Sequence, residues 1–195
     1  GQLMDGNILI LDFSNINDKG GKIIAEFSDV PAYIEGLTIN ILFDSFIDGN
    51  TRIEGNLIVE IQEVITNNKV VFKLGSDEGL EFVAEQTYNF TLDQSIVWLS
   101  GFSTLDDNSD DIFIVNGTST QSVSEQIRKL NFVDVHFSNS CEYFLSGLLE
   151  FKESENDDSI LCDFSIDDQG NSNDQCDSYI KIKKLDVSII FNLED

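Results

Sequence analysis

Oxygen-rich side chains crowd two short stretches of this sequence. One is Asp106–Asp111, which reads DDNSDD, and the other is 167–174, which reads DDQGNSND. Carboxylate and amide oxygens on flexible turns are the ligands that calcium prefers. The second stretch is the better candidate, because strand-like residues fix both of its ends. The predicted calcium ligands are Asp167, Asp168, Asn171, Asn173 and Asp174.

Neither acidic stretch matches the loop of an EF-hand, which needs a glycine at its sixth position and a glutamate at its twelfth. The alternative interpretation is a pair of solvated acidic turns. We expect no cofactor other than this calcium.

Catalytic chemistry has weak support in the sequence. His136 is the single histidine, and Asp134 lies two residues before it, on the same side of an extended chain. A Ser-His-Asp arrangement also needs a nucleophilic serine, and the sequence has no Gly-x-Ser-x-Gly elbow to supply one. With 36 acidic residues, carboxylate pairs of the glycosidase type arise by chance. We predict a protein that is not an enzyme, with a carbohydrate-active hydrolase as the alternative.

Three cysteines are present, namely Cys141, Cys162 and Cys176. None belongs to a Cys-x-x-Cys pair, so a structural zinc site is not expected. Cys141 and Cys176 each adjoin a polar turn, where sulfurs from different hairpins can meet. Cys162 lies in an apolar run and suits a small buried side chain. We predict a disulfide between Cys141 and Cys176, as in exported proteins.

The elements that position these residues are strands. Apolar and polar residues alternate along Leu37–Phe43 and again through 128–164, with the two-residue period of paired strands. A short helix fits only at Thr118–Gln126, through Val123 and Ile127. About fourteen strands at short spacing predict an all-β fold, an antiparallel β-sandwich or barrel-like stack of hairpins.

The chain is predicted to form one all-β module over residues 1–195. An internal echo suggests two related β-units, about 1–85 and 86–195: Leu11–Ser14 reads LDFS and Cys162–Ser165 reads CDFS, and an Asp-x-Gly turn follows each. The competing explanation is that all β-hairpins use the same turn residues.

Charge and hydropathy exclude several classes of function. The formal net charge of −25 repels phosphate backbones, so we expect no nucleic-acid partner. No apolar run reaches the ~20 residues that a membrane-spanning helix needs. Aromatic residues at strand spacing either fill the core or line a sugar- or lipid-binding surface. The candidates for such a surface are Tyr88, Phe90, Trp98, Phe102 and Phe113.

The order of short motifs resembles a group of uncharacterised secreted lipoproteins of Bacteroidota-type bacteria. In the first half the motifs are Asp12-Phe13, Gly21-Lys22-Ile23, Phe43-Asp44-Ser45-Phe46, Asp48-Gly49 and Ile53-Glu54-Gly55. In the second half they are Trp98, Gly101, Val115-Asn116-Gly117, Cys141, Ser146-Gly147, Asp163-Phe164 and Gln175-Cys176-Asp177. The chain departs from the group at 172–175, where the group has Gly-Asp-Gly before the cysteine.

This resemblance implies export to the periplasm or cell surface and an outer-membrane lipid anchor on a cysteine upstream of Gly1. It implies no activity. Together with the composition, it predicts an extracytoplasmic, non-catalytic binding or assembly module with a protein or glycan partner. Its only link to a membrane would be the lipid anchor. A β-barrel lipid carrier is a further alternative beside the hydrolase.

Overall fold

The computed structural model describes residues 1–65, 69–76, 78–101, 104, 106–124, 126–154 and 157–194. In these residues the chain forms fourteen strands and one three-residue 3₁₀ helix, Asn108–Asp110. The strands are β1 (Gln2–Asp5), β2 (Ile8–Asp12), β3 (Lys19–Phe27), β4 (Thr38–Asp48), β5 (Thr51–Ile65), β6 (Lys69–Gly75), β7 (Leu80–Val83), β8 (Thr87–Ser100), β9 (Ile112–Val123), β10 (Gln126–Ser138), β11 (Ser146–Lys152), β12 (Ile160–Asp163), β13 (Tyr179–Lys184) and β14 (Val187–Asn192).

All fourteen described strands belong to one antiparallel sheet. They lie side by side in chain order from β1 to β14, except that β6 and β7 share one place between β5 and β8. Each strand therefore pairs mainly with its chain neighbours, as in a series of hairpins. The structure confirms the predicted all-β class, the antiparallel pairing and the expected number of strands.

The strand register gives the sheet one mainly apolar face, and over β8 to β14 the opposite face is mainly polar. One row on the first face crosses β3 to β14 and contains Phe27, Ile39, Val59, Leu74, Gln94, Gly117, Phe132, Leu149, Cys162, Ile182 and Ile189. A neighbouring row on the second face, from β8 to β14, contains Asp93, Thr118, Asn131, Glu150, Leu161, Lys183 and Ser188. We call the first surface the apolar face.

Burial on the apolar face is incomplete. The accessible surface of the chain is 11886 Å², whereas a compact monomer of its mass of 21.8 kDa exposes about 9,300 Å². A buried cluster is formed by Leu37, directly before β4, Ile61 of β5 and Val70 of β6. The excess surface means that many large apolar side chains of the sheet stay accessible to water.

Bulges bend the long strands where glycines let two backbones approach closely. Gly147 in β11 has φ +108°, and a Cβ placed on it would lie 2.3 Å from Asp134 O and 2.5 Å from Val135 Cα. Asp134 itself has φ 47° and marks a shift in the register of β10 against both of its neighbours. Only glycine fits such a position without moving the adjacent strand.

Two strand pairings bear on element boundaries that the sequence suggested. The short helix considered at Thr118–Gln126 is wrong, because β9 continues to Val123 and pairs there with Gln126 of β10. β7 and β8 flank the proposed boundary at residue 85 and pair directly, from Val83 opposite Thr87. The sheet is thus continuous through this point, and the division into two related units stays a prediction.

The two echoed motifs form the same kind of turn. Asp12 Oδ1 accepts a hydrogen bond from Ser14 N at 2.9 Å, and Asp163 Oδ1 accepts one from Ser165 N at 2.9 Å. This is the local turn that aspartate side chains favour.

In the part of the chain that the structure describes, no helix is long and apolar enough to cross a membrane.

Candidate functional site

A pocket opens on the apolar face where β6 gives way to β7. The long strands β5 and β8 pair with β6 over one part of their length and with β7 over another. Gly79, with φ +87°, precedes β7, and a Cβ on it would lie 2.6 Å from Phe90 O. The chain therefore passes close to β8 and re-enters the sheet as a new strand. This irregularity leaves a hollow beside β7.

The pocket has a volume of about 400 Å³, within the range of small-ligand sites. Its lining is mostly apolar and consists of Thr51, Leu80, Phe82, Ala84, Tyr88, Phe90, Leu92 and Gln121. Phe82 and Phe90 meet edge to face with ring centroids 5.1 Å apart. Leu80 is the buried member of the lining, with 7% of its surface exposed. We call this hollow the β7 pocket.

Polar groups in the lining of the β7 pocket are few. The side chains of Thr51, Tyr88 and Gln121 supply two hydroxyl groups and one amide. None of the described lining residues is a carboxylate, a histidine or a cysteine. The site is therefore suited to bind an apolar group and to orient it with one or two hydrogen bonds.

The structure separates the aromatic residues that were considered together as a binding surface. Tyr88 and Phe90 line the β7 pocket. Trp98 and Phe113 instead stack on each other with centroids 5.7 Å apart, and Phe113 stacks on Phe137 at 4.9 Å. Phe102 lies outside the described residues.

The second aromatic group forms a row across β8, β9 and β10. It is held at one end by the indole Nε1 of Trp98, which donates to Asp111 Oδ1 at 2.8 Å. Tyr33 packs edge to face on the same indole at 6.1 Å. Because the ring pairs are directly opposite across neighbouring strands, this row stabilises the sheet as cross-strand pairs do.

Sequence reasoning missed most of the pocket. Leu80 and Phe82 were not singled out, and Gln121 fell within the short helix considered at Thr118–Gln126. Nothing in their local pattern indicates that three distant segments meet. The available signal was Gly79 directly before the short run Leu80–Val83, because a glycine in such a position often marks a close backbone approach.

The predicted metal loop lies between β12 and β13. Both carboxylate oxygens of Asp167 accept hydrogen bonds from Asn171 Nδ2, at 3.3 and 3.1 Å, and Oδ1 also accepts from the backbone N of Gln169 and of Asn171. Hydrogen bonds from the side chain and backbone of Asn171 hold the pKa of Asp167 below its ordinary value. Asp167 thus stabilises the turn through its hydrogen bonds with Gln169 and Asn171.

The other predicted ligands differ in their hydrogen bonds and in their exposure to solvent. Asn173 Nδ2 donates to Asp177 Oδ2 and its Oδ1 accepts from Gln175 N, whereas Asp168 and Asp174 are exposed. Among the described residues, no group of three or more His, Cys, Asp or Glu side chains is arranged to hold a metal ion. The calcium site stays a prediction.

Calcium binding at this loop is expected to raise the thermal midpoint above that in sodium chloride of equal ionic strength. A ligand that binds only the folded state adds about 2.7 kcal/mol at a hundredfold excess over its Kd. Asp168→Asn and Asp174→Asn should abolish the increment with little effect in chelator, whereas Asp167→Asn should destabilise the loop in either condition. Equal midpoints in calcium and sodium would leave only a solvated turn held by Asp167.

Asp134, which lies two residues before His136, is hydrogen-bonded to the neighbouring strand β9. Asp134 Oδ1 accepts from Asn116 Nδ2 at 3.0 Å, and Asp134 N donates to Asn116 Oδ1 at 2.8 Å. The carboxylate is therefore bound to the neighbouring strand and fixes the bulge in β10. This contact gives Asp134 a structural role.

The structure joins Cys141 and Cys176 in a disulfide, with the two Cα atoms 5.8 Å apart. Cys162 remains a free thiol in β12, and its burial raises the pKa of that thiol. The predicted pairing of Cys141 with Cys176 is confirmed, and Cys162 is the cysteine left over. The bridge links the segment after β10 to the end of the acidic loop, across 35 residues.

Comparison of the chain with protein-family models, with curated protein sequences and with solved structures gives no match.

Proposed function

We propose that this chain is a non-catalytic, extracytoplasmic binding or assembly module that takes an apolar ligand in the β7 pocket. The observation that carries the proposal is the lining of that pocket, in which aromatic and aliphatic side chains surround a volume of about 400 Å³. A hollow of this size buries a ring system or a short acyl chain and releases the water that covers it.

The chemistry of the described lining favours binding over hydrolysis. Glycosidases place two carboxyl groups on either side of the bond that they cleave, and the lining described above includes no carboxylate. A free sugar would also need several hydrogen-bonding partners in the pocket, whereas Thr51, Tyr88 and Gln121 provide few. An apolar molecule, or the apolar part of a larger one, therefore matches the mostly apolar lining better than a glycan does.

Location outside the cytoplasm is part of the same proposal. A disulfide between Cys141 and Cys176 persists in oxidising compartments such as the periplasm or the cell surface. The resemblance to secreted lipoproteins adds tethering to the outer membrane through a lipid anchor upstream of Gly1.

The uncharged dye N-phenyl-1-naphthylamine is a suitable probe, because a charge of −25 does not repel it. We expect saturable fluorescence enhancement with a Kd in the micromolar range. Ala84→Trp should raise this Kd at least tenfold, because Ala84 is an exposed lining residue and the added indole fills the hollow.

Glu85→Trp is the matched control. It adds the same side chain to the same β7–β8 turn at a position outside the pocket lining. Its Kd should stay within about twofold of the wild-type value. Absence of saturable binding, or equal Kd values for the two tryptophan variants, would contradict the proposed use of the pocket.

A further inference from the structure

β14 is an apolar strand at one end of the sheet. In the described part of the chain only β13 pairs with it. Its side chains are exposed on both faces of the sheet, Val187 by 63%, Ile189 by 53%, Ile190 by 38% and Phe191 by 46%. No charged residue occurs from Val187 to Leu193, although the chain has 36 acidic residues. Such an edge is a template for pairing with another strand.

One hydrogen bond fixes which backbone groups of β14 are available. Leu193 N donates to Ser178 O, so the backbone of Leu193 faces β13. Successive residues of a strand direct their N–H and C=O groups to opposite sides. Ser188, Ile190 and Asn192 therefore direct these groups away from the sheet. The three residues are spaced symmetrically about Ile190.

We infer that β14 pairs with β14 of a second copy of this chain about a two-fold axis at Ile190. Ile190 then lies opposite Ile190 of the second copy, and Ser188 lies opposite Asn192. This antiparallel register forms about six backbone hydrogen bonds and joins the two sheets into one.

The same register matches the side chains on the apolar face. It places Val187 opposite Leu193 and Ile189 opposite Phe191, each pair occurring twice because of the symmetry. These residues are all at least 46% exposed in the single chain. Cross-strand apolar pairs of this kind are the main stabilising unit of a sheet, so the apolar faces of the two copies become continuous.

A second copy fits this edge better through β14 than through β1. The strands alternate in direction along the sheet, so β1 and β14 run the same way. Pairing β14 with β1 of an identically oriented copy would give a parallel ladder, which is less stable per residue, and an open chain of copies. Pairing β14 with itself is antiparallel and closes at two copies.

Charges at the two ends of β14 set the conditions for this association. In the proposed register Asp186 lies opposite Glu194 of the other copy, and each copy carries a net charge of −25. Both effects oppose dimer formation at low ionic strength and are screened by salt. We therefore expect a weak dimer that strengthens with ionic strength. This deepens the assembly part of the proposed function and involves no residue of the β7 pocket.

Sedimentation equilibrium over ~10 µM to ~1 mM protein tests the dimer. We expect its Kd to fall when sodium chloride is raised from 20 to 500 mM. Ser188→Pro should raise the Kd at least tenfold, because the N–H that proline lacks points away from β13 and the fold tolerates the change. Ser188→Ala keeps that N–H and should dimerise as the wild type does. Asp186→Lys should tighten the dimer at low salt by pairing with Glu194.

A monomeric wild type at ~1 mM protein in high salt would overturn the inference. So would a Ser188→Pro variant that melts and dimerises like the wild type, since the edge pairing would then not be the contact. Dye binding at the β7 pocket is a separate readout on the wild type. A wild type that dimerises but does not bind the dye contradicts the pocket alone, and a wild type that binds the dye but stays monomeric contradicts the edge pairing alone.

Cross-linking tests the register independently of dimer strength. In a Cys162→Ala background, Ile190→Cys places two thiols on directly opposed residues, whose Cα atoms lie about 5.5 Å apart in such a pair, within the reach of a disulfide. Ser188→Cys is the matched control, because its two copies would lie about 14 Å apart. Oxidation should give a covalent dimer of the first variant only. Equal cross-linking of both variants, or of neither, would overturn the register.

Discussion

Replacing Gly147 with alanine is expected to lower the free energy of unfolding by about 3–5 kcal/mol. The new Cβ would lie 2.3 Å from Asp134 O and 2.5 Å from Val135 Cα, both of them backbone atoms that no side-chain rotation can move. The residue would also keep a φ of +108°, which alanine rarely adopts. Strain in the backbone and overpacking each cost about 1–3 kcal/mol, and together they are a large part of the stability of a typical domain.

Gly75→Ala is the control for this substitution. Gly75 is also a strand glycine, but its φ lies outside the positive range and the nearest atom to an added Cβ is Leu92 O at 3.7 Å. We expect its stability to stay within about 1 kcal/mol of the wild type. Urea unfolding of the three proteins measures both effects. A Gly147→Ala protein as stable as Gly75→Ala would show that β10 and β11 can separate without cost at the bulge.

Removing the disulfide is expected to lower the free energy of unfolding by about 4 kcal/mol. The bridge closes a loop of 35 residues, and loop-closure entropy gives this magnitude for such a length. Reductant should therefore shift the urea midpoint of the wild type to that of the Cys141→Ala/Cys176→Ala variant. The midpoint of that double variant should not respond to reductant.

Cys162→Ala separates the bridge from ordinary loss of packing. Its thiol is free and half-buried, so its replacement should cost only about 1 kcal/mol and leave the response to reductant intact. Thiol titration of the unfolded, unreduced wild type should find one reactive group. A count of three would exclude the bridge, and an equal effect of reductant on the double variant would assign that effect to something else.

Local patterns in the sequence predicted most of the strands but little of the pocket. Alternation along Leu37–Phe43 predicted a strand, and β4 begins at Thr38, because a sheet with one apolar face imposes a two-residue period on each of its strands. The helix considered near Val123 failed because a hairpin between two strands can also space apolar residues four apart. There Val123 ends β9 and Ile127 belongs to β10.

The candidate site depends on registers that no short pattern contains. Thr51, Phe82 and Gln121 come from β5, β7 and β9, and they line one pocket only because β7 takes the place that β6 leaves. The cysteine pairing was accessible, since polar turns beside Cys141 and Cys176 marked them as loop residues. The outward direction of the β14 backbone was not, because it follows from the register of β14 against β13, which the hydrogen bond from Leu193 N to Ser178 O reports.

Pairing between chain neighbours also bears on how this molecule folds and varies. Each ladder from β1 to β14 forms between segments that are close in sequence, so ordering one hairpin requires little loop closure and prepares the edge for the next. Growth by successive hairpins resembles the nearest-neighbour cooperativity of repeat proteins. A whole hairpin can then be gained or lost without changing how distant strands pair. The number of strands in the sheet can therefore change during evolution.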